Sequence, residues 1–352
     1  TAPGERGRLA LPKALGAAAA DAVRWTAFDP MGREVSNWTL PQRDLRAELV
    51  AEQQSIPSQS AEAVVAEAAV AEAVVDGPRL SLRAGDHGAV FDLESGELLR
   101  LSHRDRELSL ARGLRVVGGS EPGGAQVRHE VVDEVATVDV SYRAQESAAH
   151  RLDRARWTLY PSGWLRLAVT YVAEGPHELL GFGFDYPRQR VVSLSWLGGG
   201  PGRVWKNRLA GAALGVWRKS ADLTPVTAAH EPKLEGFYRD VVWARLETDE
   251  GYLTLVPEAD QYLSLFSPPF PEDARDAVAT VPESGIHFLH GISAIGTKFW
   301  PAADLGPDSW INEGQGTYEA VVWLRVDAVA DPTLDDSVDE SAISMPEDAV
   351  FQ

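Results

Sequence analysis

The stretch LGGGPGRVWKNRLAG, Leu197 to Gly211, sets three glycines and a proline beside a Trp-Lys-Asn-Arg run. Glycine next to cationic side chains is the composition of a phosphate cradle, a sugar-binding loop or a tight turn. The phosphate reading fails on spacing, because no G-x-x-x-x-G-K-[ST] pattern occurs and no strand-loop-helix frame surrounds the glycines. A turn asks for less: Gly198, Gly199 and Gly200 permit positive φ, and Pro201 fixes the next step. Lys206 and Arg208 can hold a carboxylate, and with Asp and Glu plentiful nearby, internal ion pairs are the expected partners.

Other segments offer different chemistry. SWINEGQG carries Asn312-Glu313, a pairing in which many retaining glycosidases keep an acid/base carboxylate. Such enzymes need a second carboxylate about 5–5.5 Å away, usually at another strand end of a (β/α)₈ barrel. This chain has no alternating βα units, and Asn312-Glu313-Gly314 directly precedes the strand-like run TYEAVVWLRV, so a turn is expected there. His287 and His290 in GIHFLHGIS stand three apart, which on a strand puts them on opposite faces and makes a poor metal pair. No G-x-S-x-G elbow announces a nucleophile. Trp205, Trp300 and Trp310 sit in turn-like sequence beside Gly, Pro or Asp, where an indole either stacks on a sugar or plugs a sandwich corner. No residue of the chain is assigned a catalytic role, and no metal or other cofactor is assigned to it.

Composition narrows the partners. The formal net charge is −19, which argues against nucleic acid or an anionic membrane surface. From Asp331 to Gln352 there are seven acids and no base, and setting those seven aside from −19 leaves the rest at −12. No apolar run approaches the roughly 18 residues of a membrane span. The absence of cysteine removes thiol catalysis and zinc-thiolate sites and points to no compartment. The chain opens at Thr1 with neither a methionine nor a signal peptide, as a processed or excised chain would.

The elements that must position these residues are strands. Residues 21–41 read as two strands around Asp29-Pro30-Met31-Gly32, too few for a sandwich of about seven strands. Residues 51–77 are Ala/Glu-rich, with Asp76-Gly77-Pro78 as a helix stop, and read as a partly helical linker. From Arg79 to Val326 the pattern is β almost throughout: Val138, Val140 and Tyr142 alternate, as do Leu165, Leu167, Val169 and Tyr171. The expected fold is all-β, a large antiparallel β-supersandwich. It takes residues 78–330, behind a partial immunoglobulin-like segment (1–50) and the linker (51–77), with an acidic tail (331–352).

These residues carry a family resemblance. VSLSWLGGGPGRVWKNRLAGAALGVWRK resembles the G-x-GP-x-x-x-[YW]-x-x-R signature in the last domain of family-two glycoside hydrolases, the β-galactosidase group. DAVRWTAFDPMGREVSNWTLP resembles the end of the immunoglobulin-like domain before it, and AVFDLESGELLRLSHRDREL resembles the hairpin that opens the last domain. LLGFGFDYP, EGFYRDVVWARLET, GISAIGTKF and GTYEAVVWLRV resemble its later strands, in order. The resemblance spans residues 15–45 and 79–326.

It implies a galactose mutarotase-like supersandwich that packs beside a catalytic (β/α)₈ barrel and walls its active-site mouth. In that family the two catalytic glutamates belong to the barrel, which this chain lacks. The resemblance therefore implies an accessory, carbohydrate-facing portion of a retaining β-glycosidase, inactive alone, whose partner is the barrel of the same enzyme or a large subunit. Within the signature, Gly198, Gly200, Pro201, Trp205 and Arg208 set the loop; Trp205, His290, Trp300 and Trp310 are the candidate sugar contacts. Two departures stand out. ARGLRVVGGSEPGG replaces the family's Asn-Phe-Trp-Arg-x-Pro-Thr-Asp stretch, which leaves β-glycosides other than galactosides open. Val204-Trp205-Lys206-Asn207-Arg208 stands where many β-galactosidases have an Asn-Tyr-x-Asp-Arg form. Two other readings stay open: a mutarotase-type epimerase pairing His290 with Glu231 or Glu313, and a simple carbohydrate-binding module. Self-association is also left open.

Overall fold

The computed structural model describes residues 22–54, 71–110, 112–143, 149–220, 236–266, 279–282 and 285–328. Contacts divide the chain into two compact units, one ending at Leu45 and one beginning at Arg46. In the first, β1 (Ala22–Phe28) and β2 (Glu34–Pro41) form an antiparallel hairpin with Trp25 opposite Trp38. Its turn is set by Asp29, whose Oδ1 accepts the N–H groups of Met31 and Arg33 while Gly32 takes φ +76°.

From Arg46 onward α1 (Leu45–Gln54) belongs to the second unit, where Arg46 ties it down through the Val241 carbonyl and the Asp260 carboxylate. β3 (Ala71–Asp76), β4 (Arg79–Ala84), β5 (His87–Asp92), β6 (Leu98–His103) and β7 (Arg106–Ser109) make a five-stranded meander. The linker expectation therefore fails for residues 71–76, which pair with β4. Asp76-Gly77-Pro78 does not stop a helix; Gly77 (φ +57°) and Pro78 form the two-residue loop of a hairpin. Residues 55–70 of the expected linker and the whole acidic tail lie outside the described residues, as does Glu231.

After β8 (Arg112–Val116) come four strands in succession: β9 (Ala125–Val132), β10 (Val135–Tyr142), β11 (His150–Leu159) and β12 (Leu165–His177). β13 (Leu180–Asp185), β14 (Val191–Gly200), β15 (Ala213–Ser220), β16 (Trp243–Thr248) and β17 (Gly251–Pro257) follow. β18 (Tyr262–Leu265), β19 (Ile286–Gly291) and β20 (Asn312–Asp327) are the last elements among the described residues. Nine strands join in the order β15-β14-β16-β17-β20-β12-β11-β10-β9, and four in the order β18-β19-β13-β8. All strand pairings among the described residues are antiparallel, and the all-β expectation holds.

One core joins the three sheets of this unit: Leu167 and Trp196 from the nine-stranded sheet, Phe182 and Phe288 from the four-stranded, Leu80 and Phe91 from the five-stranded. The alternation read in β12 puts Leu165, Leu167, Val169 and Tyr171 inward, each almost wholly buried. Burial of each such side chain is worth about 1.5–3 kcal/mol.

The glycine run corrects the sequence reading. Gly198, Gly199 and Gly200 are not a turn; they are the buried end of β14, paired with Gly215, Leu214 and Ala213 of β15, and none has positive φ. Their lack of a side chain answers a steric demand. A Cβ on Gly198 would lie 2.9 Å from Val241 Cα, and one on Gly200 would lie 2.6 Å from the Trp217 ring and 2.8 Å from that of Trp196. The turn proper begins at Pro201.

Candidate functional site

Past Pro201 the chain folds into a tight loop in which Trp205 and Arg208 pair as an isolated bridge. Trp205 is not an exposed platform. Only 7% of it is accessible, and its indole meets Phe237 edge-on within a second apolar cluster that includes Val204, Leu179 and Ile292. The Arg203 guanidinium lies 5.3 Å from the centre of the same ring. As a sugar contact Trp205 is thus corrected: it is the anchor of the loop, and the residues after it reach outward.

They reach the 292–311 segment that connects β19 to β20. Lys206 donates its backbone N–H to Ser293 O (3.0 Å) and its Nζ to Trp310 O (2.7 Å). Asn207 Nδ2 donates to Ile295 O and to Ser309 Oγ, both at 2.9 Å, and Asn207 Oδ1 accepts the Ile295 N–H. Arg208 Nη2 donates to Gly296 O at 2.9 Å. The cations expected to pair with carboxylates are spent on backbone carbonyls, which are acceptors whatever side chain they belong to.

The connecting segment carries three exposed aromatics. Phe299 is 74%, Trp300 59% and Trp310 60% exposed, with Leu305 and Ile311 also uncovered. Thr297 shapes the tip: its Oγ1 accepts the N–H groups of Phe299 and Trp300, and its own N–H donates to Trp300 O. Short 3-10 turns at Ala302–Asp304 and Pro307–Ser309 bring the chain back. Large aromatic surface held in water by a fixed loop is the chemistry of stacking on an apolar ring face, including the C–H face of a sugar. Of the four tryptophan and histidine contacts expected from sequence, the structure places Trp300 and Trp310 on this one loop.

His290 stands apart from it. On β19 it faces the nine-stranded sheet, where Nδ1 is 2.7 Å from Tyr171 Oη and Nε2 is 3.3 Å from the Gln261 amide. Burial lowers its pKa. His287 faces the opposite way, as its spacing required, beside the Arg115–Asp185 ion pair at 2.8 Å. A phenol and a carboxamide engage His290, not a carboxylate. Glu313 does not sit in a turn either: Asn312, Glu313 and Gly314 open β20, with Glu313 opposite Pro176 and exposed. Asn312 instead ties the strand start, its Nδ2 donating to Glu178 O and Ile292 O.

Among the described residues, His87, His103 and Asp327 form one group whose ligand atoms lie within 4.8 Å of one another. The two imidazoles stack at 4.4 Å and 10°, so an ion in the plane of one ring lies off the plane of the other. His103 Nδ1 already accepts the Ala328 N–H at 2.9 Å. The arrangement pins the end of β20 to the β5–β6 hairpin, and its geometry is wrong for joint ligation.

Asn207 and Phe299 are the members of this site that sequence reasoning passed over. Asn207 was visible only as a departure from the signature. Phe299 lay beside Trp300 in GTKFW without a spacing to mark it.

No curated protein sequence matches the chain. Among solved structures it is similar to galactose 1-epimerase from Lactobacillus acidophilus NCFM, at 12% identity and a TM-score of 0.42, over 72% of this chain and 95% of that one. It is also similar to a galactose mutarotase-like protein from Lactobacillus casei ATCC 334, at 10% identity and a TM-score of 0.37, over 71% and 100%. Residues 84–303 match the family described as beta galactosidase small chain, a span that holds the anchoring loop, Phe299 and Trp300. The chain belongs to the beta galactosidase small chain family.

Proposed function

We propose that this chain is the non-catalytic, carbohydrate-facing portion of a retaining β-glycosidase of family two. Phe299 and Trp300 offer a sugar ring a stacking face, while the two carboxylates of the reaction lie in a barrel supplied by the same enzyme or by a large subunit. The observation that carries this reading is the exposed aromatics Phe299, Trp300 and Trp310 on a loop whose backbone is fixed by side chains of the family's signature segment. An exposed indole on a wandering loop would lose its stacking energy to ordering entropy; one that is already ordered keeps it. Membership in the small chain family supports the same assignment.

Titration of the full chain with a β-galactoside, followed by tryptophan fluorescence, tests it. The wild type should show a saturable change, and Trp300→Ala should weaken the binding at least tenfold. A full-amplitude response with unchanged affinity in Trp300→Ala would count against the platform.

A further inference from the structure

Resting on the reading of Phe299 and Trp300 as a sugar platform, we propose that Asn207 is the positioning residue of that platform, with Lys206 and Arg208 as flanking ties. Residues 292–311 separate two strands of different sheets, β19 and β20, and contain only two short 3-10 turns. A connection of that length has a large ordering cost, so something outside it must hold it in one conformation. Asn207 does so in the manner of a neighbouring strand. Its carboxamide exchanges two hydrogen bonds with the peptide groups of Ile295, donating to the carbonyl at 2.9 Å and accepting the N–H at 3.1 Å. Its second amide hydrogen goes to Ser309 Oγ, on the returning limb.

One side chain therefore fastens both limbs between which Phe299 and Trp300 project. Lys206 repeats the pattern, to Ser293 O on one limb and Trp310 O on the other. Arg208 adds Gly296 O, one residue before Thr297, which sets the Phe299 and Trp300 amides. Asn207, two residues after the buried Trp205, thus bonds Ile295, two residues before Thr297, whose hydroxyl accepts the Trp300 N–H. In this chain the exchange with Ile295 uses both halves of the carboxamide. An aspartate at 207 keeps the acceptor for the Ile295 N–H but presents an oxygen to the Ile295 carbonyl, where a donor is needed.

Hydrogen exchange on the full chain, comparing wild type with Asn207→Ala and the isosteric Asn207→Asp, decides the point. Both variants should exchange the amides of Ile295 to Trp300 at least tenfold faster, with exchange in the β12 and β20 core unchanged. Unchanged exchange at 295–300 in Asn207→Asp overturns the proposal, and that variant also serves if the alanine chain fails to fold. In the sugar titration with a β-galactoside, Asn207→Ala should weaken binding in a wild-type background and add nothing to Trp300→Ala. Additive losses would show Asn207 acting elsewhere and overturn it too. If the wild type gives no response to the sugar, the platform reading falls, while the exchange experiment still decides whether Asn207 holds the loop.

Discussion

A methyl group at Gly200 would meet two indoles at once, those of Trp217 and Trp196. Both rings are fixed: Trp217 Nε1 donates to Gly198 O, and Trp196 Nε1 donates to Gly199 O. Gly200→Ala should therefore destabilise the chain by about 1–3 kcal/mol, as overpacking of a well-filled core does; the urea midpoint against wild type measures it. His287 carries a second prediction at this scale. Burial lowers its pKa from 6.5 to about 3, and the Arg115 guanidinium adds to the effect. The folded chain keeps this imidazole neutral while the unfolded chain protonates it, so stability is complete above pH 6.5 and falls as pH drops toward 3. The slope is at most ~1.4 kcal/mol per pH unit for one such group. Denaturation at pH 7, 6 and 5 should show that loss in wild type and a flatter profile in His287→Gln. His150, lowered to about 4 by burial and by His177, keeps part of the slope in both chains. Single residues were unevenly legible in sequence. Trp300 and Trp310 could be placed on a loop from their Pro and Asp neighbours, but Trp205 shares that signature and is buried. Only the tertiary arrival of Phe237 separates them.

At the scale of elements, strands whose side chains alternate were legible, and strand ends built of glycine or of helix-compatible residues were not. β12 announced itself because Leu165, Leu167, Val169 and Tyr171 alternate against polar neighbours. β14 ends in three glycines and β20 begins with Asn-Glu-Gly, compositions that signal turns; pairing with Ala213–Gly215 and with Pro176–His177 overrides them. β3 shows the same limit, since Ala-Glu-Ala-Val serves a helix face and an edge strand equally well. The far end of β20 yields a test. Its last fixed contact is the Ala328 N–H on His103 Nδ1, with Asp327 held by Arg325 at 2.9 Å and facing His87 Nε2 at 3.6 Å. His103→Ala removes the acceptor, so the Ala328 amide should exchange at least tenfold faster while that of Leu324, inside the ladder, stays as it was. Equal rates at Ala328 would show that the ladder alone holds the strand end.

For the molecule as a whole, sequence gave the class and missed what organises the site. An all-β body of long antiparallel strands follows from period-two patterning repeated between Gly- and Pro-rich turns. The clamp on the aromatic loop depends on residues about ninety positions apart, Asn207 and Ile295, and no local pattern encodes such a meeting. The proposed division of labour makes a prediction at this scale. The purified chain should release no product from a chromogenic β-galactoside and should not speed the mutarotation of α-galactose, while a barrel-bearing subunit should bring hydrolysis. Turnover by the chain alone that Glu313→Gln abolishes would overturn the division.

The ties from Lys206, Asn207 and Arg208 to the segment beyond β19 fall, with the single exception of Ser309, on peptide carbonyls and N–H groups. Peptide groups are the same in every sequence. Between Gly296 and Ser309, side chains other than Thr297, whose hydroxyl shapes the tip, can therefore change while the ties that seat the segment keep their partners.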